Sequence, residues 1–403
     1  MDFNFSLPGS VTDGSQIGEI LAPIREQGPV FWNDTLQGWM ICGYDEVKTV
    51  FKRHREFQNG RSPQRSAFGY DAMLFHDTGL HNRLRAVWAN EVLPQAVNQR
   101  LELLGRIAKT RHAIVREKLA ADEAVELVAV FQDYTTDITT TLMDVPDQRR
   151  ADFKRWNAII SGTSQLALLP GDPRIAQRDE ARAELFGFLA TEMERHKQMV
   201  ASGSPLSNLT LMMIAAEGQE GITGQVVLDN LVNLFLGALD TTVRWMGSIV
   251  VHLLQNPDVL AAVTCDPGLF PDFLEELQRH QSVVQVTTRH LETEDMELGG
   301  QTLRKGDMIY IMPGLAGRDG EIFPEPNRFD IARRPDSEKS QLGFGFGFHQ
   351  CLGMHLARAE VTAFFKPLLE EMRDWDIASM DYGASWSLWG PVALNIRRRS
   401  TSS

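Results

Sequence analysis

The chain is poor in cysteine. Cys42, Cys265 and Cys351 are the only three among 403 residues, too few for a disulfide framework and too far apart for a zinc site. Such usage fits a reducing cytoplasm. Basic charge is also scarce: 40 Lys and Arg stand against 53 Asp and Glu, a formal net charge of −13. That balance argues against nucleic acid or an anionic membrane as partner, because both select basic surfaces. No uninterrupted apolar run reaches the roughly 18 residues that span a bilayer. The richest, at 231–239, is broken by Asn233 and closed by Asp240, so no membrane anchor is expected. The opening MDFNFSLPGSVTDG has neither a basic nor an apolar leader region, so no signal peptide is expected. Internal repeats and low-complexity linkers are missing too.

What is present is an ordinary globular balance, with length enough for a large core. A strand is predicted at 38–42 and a helix from 45 to 51. Residues 58–80, rich in Gly, Ser, Pro and Asp, read as a long loop. From 81 to 265 the apolar spacing is helical, with stretches at 82–92, 96–120, 123–143, 148–162, 176–201, 206–215 and 224–255. The last is long enough to be a buried spine, and Asn256-Pro257-Asp258 should stop it. Strand signals follow at 291–311, around the turn Leu298-Gly299-Gly300-Gln301, and again at 386–396. The expected fold is mainly α with a minor β-rich lobe near 28–45, 291–311 and 386–396. One large domain is expected over 1–403.

The segment with most chemistry runs from Phe344 through Gly345, Phe346, Gly347, Phe348 and His349 to Cys351, then Gly353, Ala357, Arg358 and Glu360. Its glycines permit a tight turn ahead of the cysteine. A helix predicted just after Cys351 would aim N–H groups and the positive end of its dipole at the sulfur, lowering the thiol pKa. Gly353 and Ala357 share one helix face and leave room for a flat body. A thiolate, N–H donors and a flat partner together point to haem iron held by sulfur. The competing reading is a core cysteine after a loop.

This segment resembles the cysteine-ligand loop of the cytochrome P-450 superfamily, in its soluble bacterial form. The resemblance covers nearly the whole chain and implies the fold of that family, with a long distal helix. It implies that Cys351 ligates the iron of haem b, with Phe344, Gly353 and Ala357 against the macrocycle. His349 matches a contact to a haem propionate. Leu236-Gly237-Ala238-Leu239-Asp240-Thr241-Thr242 resembles the oxygen-binding groove of the distal helix, with Ala238 where glycine is common. There Thr241 would hydrogen-bond dioxygen and Asp240 would relay protons. Read physically, the Thr241 hydroxyl can also bond back to the Gly237 carbonyl.

His81 and Arg85, four apart on one helix face, match further propionate partners, and Arg289 matches another. Thr78-Gly79-Leu80 stands where the family usually has a proline and a glutamate. Glu276-Leu-Gln-Arg279 resembles the family's buried E-x-x-R pair. Pro326-Asn-Arg328-Phe329 resembles the stretch that supplies its second arginine. This network is structural.

The resemblance implies a monooxygenase that spends O2 and externally supplied electrons to hydroxylate or O-demethylate a small-to-medium apolar substrate. The electrons would come from NAD(P)H through a ferredoxin reductase and a ferredoxin. Arg83, Arg100, Arg106 and Arg358 are candidates for the basic patch such a donor needs. A peroxide-dependent peroxygenase and a non-catalytic haem-binding protein are the alternatives.

The family's substrate-facing segments map onto 62–80, 160–172, 232–241, 283–287 and 385–390. The first two contribute Phe68, Met73, Phe75, Leu166 and Leu168. The distal helix contributes Val232, Phe235 and Leu236. The last two contribute Val283, Val284, Trp386 and Trp389. The set is apolar and aromatic, which fits a neutral hydrophobic substrate.

Overall fold

The computed structural model describes residues 5–7, 11–62, 64–163, 172–333 and 340–400. The first helix, α1 (Ile17–Arg25), precedes a hairpin of β1 (Val30–Asn33) and β2 (Gly38–Ile41), followed by α2 (Tyr44–Lys52) and β3 (Phe57–Gln58). The expected loop at 58–80 carries a short α3 (Arg65–Phe68) and one 3-10 turn before α4 (Gly79–Ala89). It is stapled down: Asp229 and Asn230 accept the N–H groups of Asp71 and Met73 at 2.8 and 2.9 Å.

The helical body follows. The stretch expected at 96–120 is divided at Arg100 into α5 (Pro94–Gln99) and α6 (Leu101–Ala120). Next come β4 (Val125–Glu126), α7 (Leu127–Leu142), α8 (Arg150–Thr163), α9 (Pro173–Ala201) and α10 (Leu209–Ala215). The Asp172 side chain caps α9 with Pro173 just inside it, a start that its sequence announces.

The spine is α11 (Gly224–Gln255), started by the Thr223 hydroxyl and stopped before Pro257. By length and composition α11 would cross a membrane, but most of its apolar surface is buried in protein, as in a core helix. It serves two cores. Its residues from Val226 to Leu239 pack with α4, α8, α9 and α10. Those from Val243 to Leu253 pack with α6, α7, α13 (Phe270–His280) and α15 (Met354–Phe365), while α12 (Pro257–Cys265) adds Leu260 and Val263. The polar residues Asp240, Thr241 and Thr242 stand at the join.

The β lobe is small. β5 (Thr287–Leu291), the hairpin β6 (Met296–Leu298) and β7 (Gln301–Leu303), and β8 (Met308–Ile311) lead into α14 (Pro313–Ala316). One sheet has the order β1-β2-β8-β5-β3, with β2 and β8 parallel. A second joins β4, β10 (Ala393–Arg398) and β9 (Trp375–Asp381). The sequence pattern did not announce β9, whose Trp-Asp-Ile-Ala-Ser-Met-Asp lacks alternation. Its pairing with β10 over its full length makes it a strand.

Candidate active site

Glycines shape the approach to Cys351. Gly345 and Gly347 adopt φ of +70° and +69°, the left-handed region that L side chains avoid. A Cβ on Gly347 would also stand 3.1 Å from the Phe51 carbonyl oxygen. The Cys351 N–H closes the turn by donating to the Phe344 carbonyl at 2.8 Å. Gly353 then caps α15, and its N–H donates to the Cys351 sulfur.

Cys351 is accessible to solvent and yet deep in the protein, so its sulfur faces an internal cleft. Burial pushes its thiol up, against the Gly353 N–H and the Arg85 and Arg358 guanidiniums, which pull it down. This corrects the sequence expectation of a lowered thiol. Desolvation outweighs the donors, and a coordinated metal is the charge that deprotonates such a thiol outright.

The join in α11 lies across from this turn. Trp245 of α11 meets Phe344 edge-on at 5.6 Å, and Leu352 packs into the core that holds Leu236 and Leu239. Gly237 is exposed within an otherwise buried stretch, and a Cβ added there would meet nothing within 4 Å. The same holds at Gly353. Open space thus borders both the distal helix and the turn after Cys351, which suits a flat macrocycle. Ala238 and Ala357 are half-buried. The Thr241 hydroxyl donates to the Gly237 carbonyl at 3.2 Å. Asp240 pairs with Arg244 at 3.2 Å, a partner that the sequence reading missed although i,i+4 spacing signals it.

The polar end gathers four of the expected residues. His349 Nε2 lies 2.7 Å from Asp77 Oδ1. The His81 ring stands 4.7 Å from His349 and 4.1 Å from Phe348, whose other face stacks on His54 at 3.8 Å. Burial lowers His81 to about 4. Arg85 donates to the Gln350 carbonyl at 2.9 Å. Arg289 is buried, and the one hydrogen bond of its guanidinium among the described residues goes to the Thr288 carbonyl at 2.7 Å. Burial lowers it to about 10. A buried guanidinium with most donors unspent fits the carboxylates of a haem.

The structure redraws the substrate wall. Val232, Phe235 and Leu236 are core side chains, Phe235 meeting Phe153 edge-on at 4.7 Å. Phe68 packs half-buried on the same core, whereas Met73 and Phe75 are buried. Trp386 packs on Phe5 at 5.2 Å, and Trp389 on Tyr382 at 4.5 Å with its indole N–H given to the Gly14 carbonyl. Neither tryptophan lines the cleft. For Trp389 the reason is strand alternation: a bridge pairs Val284 with Leu388, and these two are half-buried while Val283 and Trp389 turn the other way, whereas Trp386 is taken up by its contact with Phe5. Leu388, which the sequence reading did not name, is the half-buried partner of Val284 there. Leu166 and Leu168 lie outside the described residues.

One network residue is corrected. Glu276 pairs with Arg279 at 2.7 Å, both buried, but its second arginine is Arg333 at 3.2 Å. The Arg328 side chain instead pairs with Glu325 at the surface, and only its carbonyl joins the network. Of the expected cationic patch, Arg358 is tied to Glu275 at 2.6 Å and Arg83 reaches Glu220 at 3.8 Å. Arg100 is paired with Glu91, whereas Arg106 is exposed.

Comparison with known proteins agrees with this geometry. The family model described as cytochrome P-450 matches residues 26–266 and 269–374. The biotin biosynthesis cytochrome P-450 of Bacillus subtilis is 26% identical over 374 residues, covering 89% of this chain and 90% of that one. Cytochrome P-450 107B1 of Saccharopolyspora erythraea is 30% identical over 369 residues, covering 87% and 86%. A Bacillus megaterium relative solved with testosterone superposes with a TM-score of 0.84 at 23% identity, covering 96% of this chain and 99% of that one.

Proposed function

The chain belongs to the cytochrome P-450 family, and from that premise we propose how this monooxygenase works: a haem-thiolate centre on Cys351, O2 as co-substrate, and an apolar organic molecule in the cleft. The observation that carries the reading is the exposed Cys351, on a glycine-shaped turn that packs against α11 through Phe344 and Trp245.

The residues divide the work. Cys351 would hold the iron, with Arg289, His81, Arg85 and His349 at the propionate end. Bound there, haem supplies the oxygen-activating chemistry that side chains lack, and a cysteine ligand favours O–O cleavage. Thr241 offers a hydroxyl next to Gly237, where α11 borders open space. Asp240, a fifth exposed, reaches toward solvent and can bring protons in. Val284 and Leu388 orient an apolar substrate and exclude water.

Electrons would come from NAD(P)H by way of a ferredoxin reductase and a ferredoxin, in the cytoplasm. The donor surface lies around the cysteine loop, where Lys48 and Lys52 stand over the Phe346 ring at 5.2 and 5.5 Å. A cationic rim there would attract an acidic donor despite the net charge.

The test is turnover with O2, ferredoxin and reductase, using the apolar ligand that gives the largest spin shift. Thr241→Ala should raise peroxide release and lower product per NAD(P)H by about tenfold. Unchanged coupling would remove Thr241 from the reaction, and turnover with peroxide alone would favour the peroxygenase.

A further inference from the structure

Arg244 belongs to none of the motifs above, yet it is 3% exposed in the middle of α11. A buried guanidinium is costly unless its donors are used. Here Nε donates to Asp240 Oδ2 at 3.2 Å, while Nη1 is shared between the carbonyls of Leu388 at 3.3 Å and Gly390 at 3.1 Å. One side chain therefore joins the acid of α11 to the backbone of the 388–390 loop.

The loop that it grips sits directly on the helix. Gly390 has φ of +127°, and a Cβ there would come within 2.5 Å of the Arg244 carbonyl oxygen. A Cβ on Gly247, nearly one turn further along α11, would come within 2.5 Å of Pro391 Cγ. On its other edge the loop is held by Trp389 N–H to the Val283 carbonyl at 2.7 Å and Gln285 N–H to the Ser387 carbonyl at 3.0 Å. Leu388 thus pairs with Val284 while giving its carbonyl to Arg244. Asp240 is the looser end: its Oδ1 accepts from no described residue, and its side chain is 22% exposed.

We propose that Arg244 is a positioning residue for proton delivery, anchored on the 388–390 backbone and holding Asp240 by one oxygen so that the other is left for the proton. The proposal rests on the reading of Asp240 as proton carrier. Asp240 takes one proton from solvent and passes it inward, which returns it to the carboxylate that Arg244 holds.

The test compares Arg244→Ala, Arg244→Lys, Asp240→Asn and the Arg244→Ala/Asp240→Asn double variant as haem-loaded enzymes. Two readouts serve: peroxide released per NADPH with a plant-type ferredoxin and its reductase, and the infrared C–O stretch of the dithionite-reduced enzyme under carbon monoxide. Arg244→Ala should raise the peroxide share about 3- to 10-fold and move the C–O band. Arg244→Lys should recover part of both, and the double variant should go no further than Asp240→Asn alone. Should Arg244→Ala destabilise the fold, Arg244→Lys read against Asp240→Asn carries the same comparison. An effect of Asp240→Asn with none from either Arg244 variant overturns the proposal, as do additive effects in the double variant. No effect of Asp240→Asn itself would instead overturn the proton-carrier reading.

Discussion

His349 Nε2 lies 2.7 Å from Asp77 Oδ1, and both side chains are almost closed to solvent. Burial lowers the His349 pKa more than Asp77 raises it. The ring therefore acts as a neutral donor to a buried carboxylate, whose other oxygen takes the Asn59 N–H at 2.8 Å. Removing the ring leaves half of that carboxylate unpaired. His349→Ala should cost about 1–3 kcal/mol of stability and speed the loss of haem to an acceptor protein. Unchanged melting and haem retention would contradict this role.

The two arginines near Glu276 should separate cleanly. Arg333 reaches the buried Glu276 carboxylate, whereas Arg328 pairs at the surface. Arg333→Ala should destabilise by about 3 kcal/mol, and Arg328→Ala by less than about 0.5 kcal/mol, in denaturant titrations. The reverse order would restore the assignment made from the Pro-x-Arg-Phe stretch.

The cysteine loop, the Asp-Thr pair and the Glu-x-x-Arg pair were legible because each is local, with residues in one turn or on one helix face. Arg333 was not, because it meets Glu276 from 57 residues away through a loop with no period. Trp389 misled for a related reason: a bridge from Leu388 to Val284 decides its face, and sequence cannot say which face of a two-residue alternation turns inward, while Trp386 is held by Phe5 from the far end of the chain. The α11 spine was legible from length and apolarity, whereas its service to two separate cores emerges only from tertiary packing.

Burial alone pushes the carboxyl of Glu360 on α15 from 4.5 up to about 8. A raised carboxyl contributes stability below its unfolded value and loses it as pH rises through the folded value. Glu360→Gln cannot ionise, so relative to wild type it should gain about 3 kcal/mol between pH 5 and pH 8. Melting curves at both pH values check this, and parallel profiles for the two proteins would refute it.

Val284 and Trp389 test the redrawn wall. Val284→Phe adds bulk to a half-exposed side chain and should weaken the best apolar ligand at least about tenfold in spin-shift titrations. Trp389→Phe, which gives up the bond to the Gly14 carbonyl, should cost about 1–3 kcal/mol of stability and leave ligand affinity intact. A ligand effect at Trp389 with none at Val284 would return the tryptophan to the wall.

The central claim is that Cys351 holds haem iron as a thiolate. The most direct measurement is the absorption spectrum of the purified protein, reduced and exposed to carbon monoxide, beside that of Cys351→Ser. The account predicts a strongly red-shifted Soret band in the wild type and its loss in the variant. A haem protein without that shift, or a wild type with no haem absorbance, would contradict it.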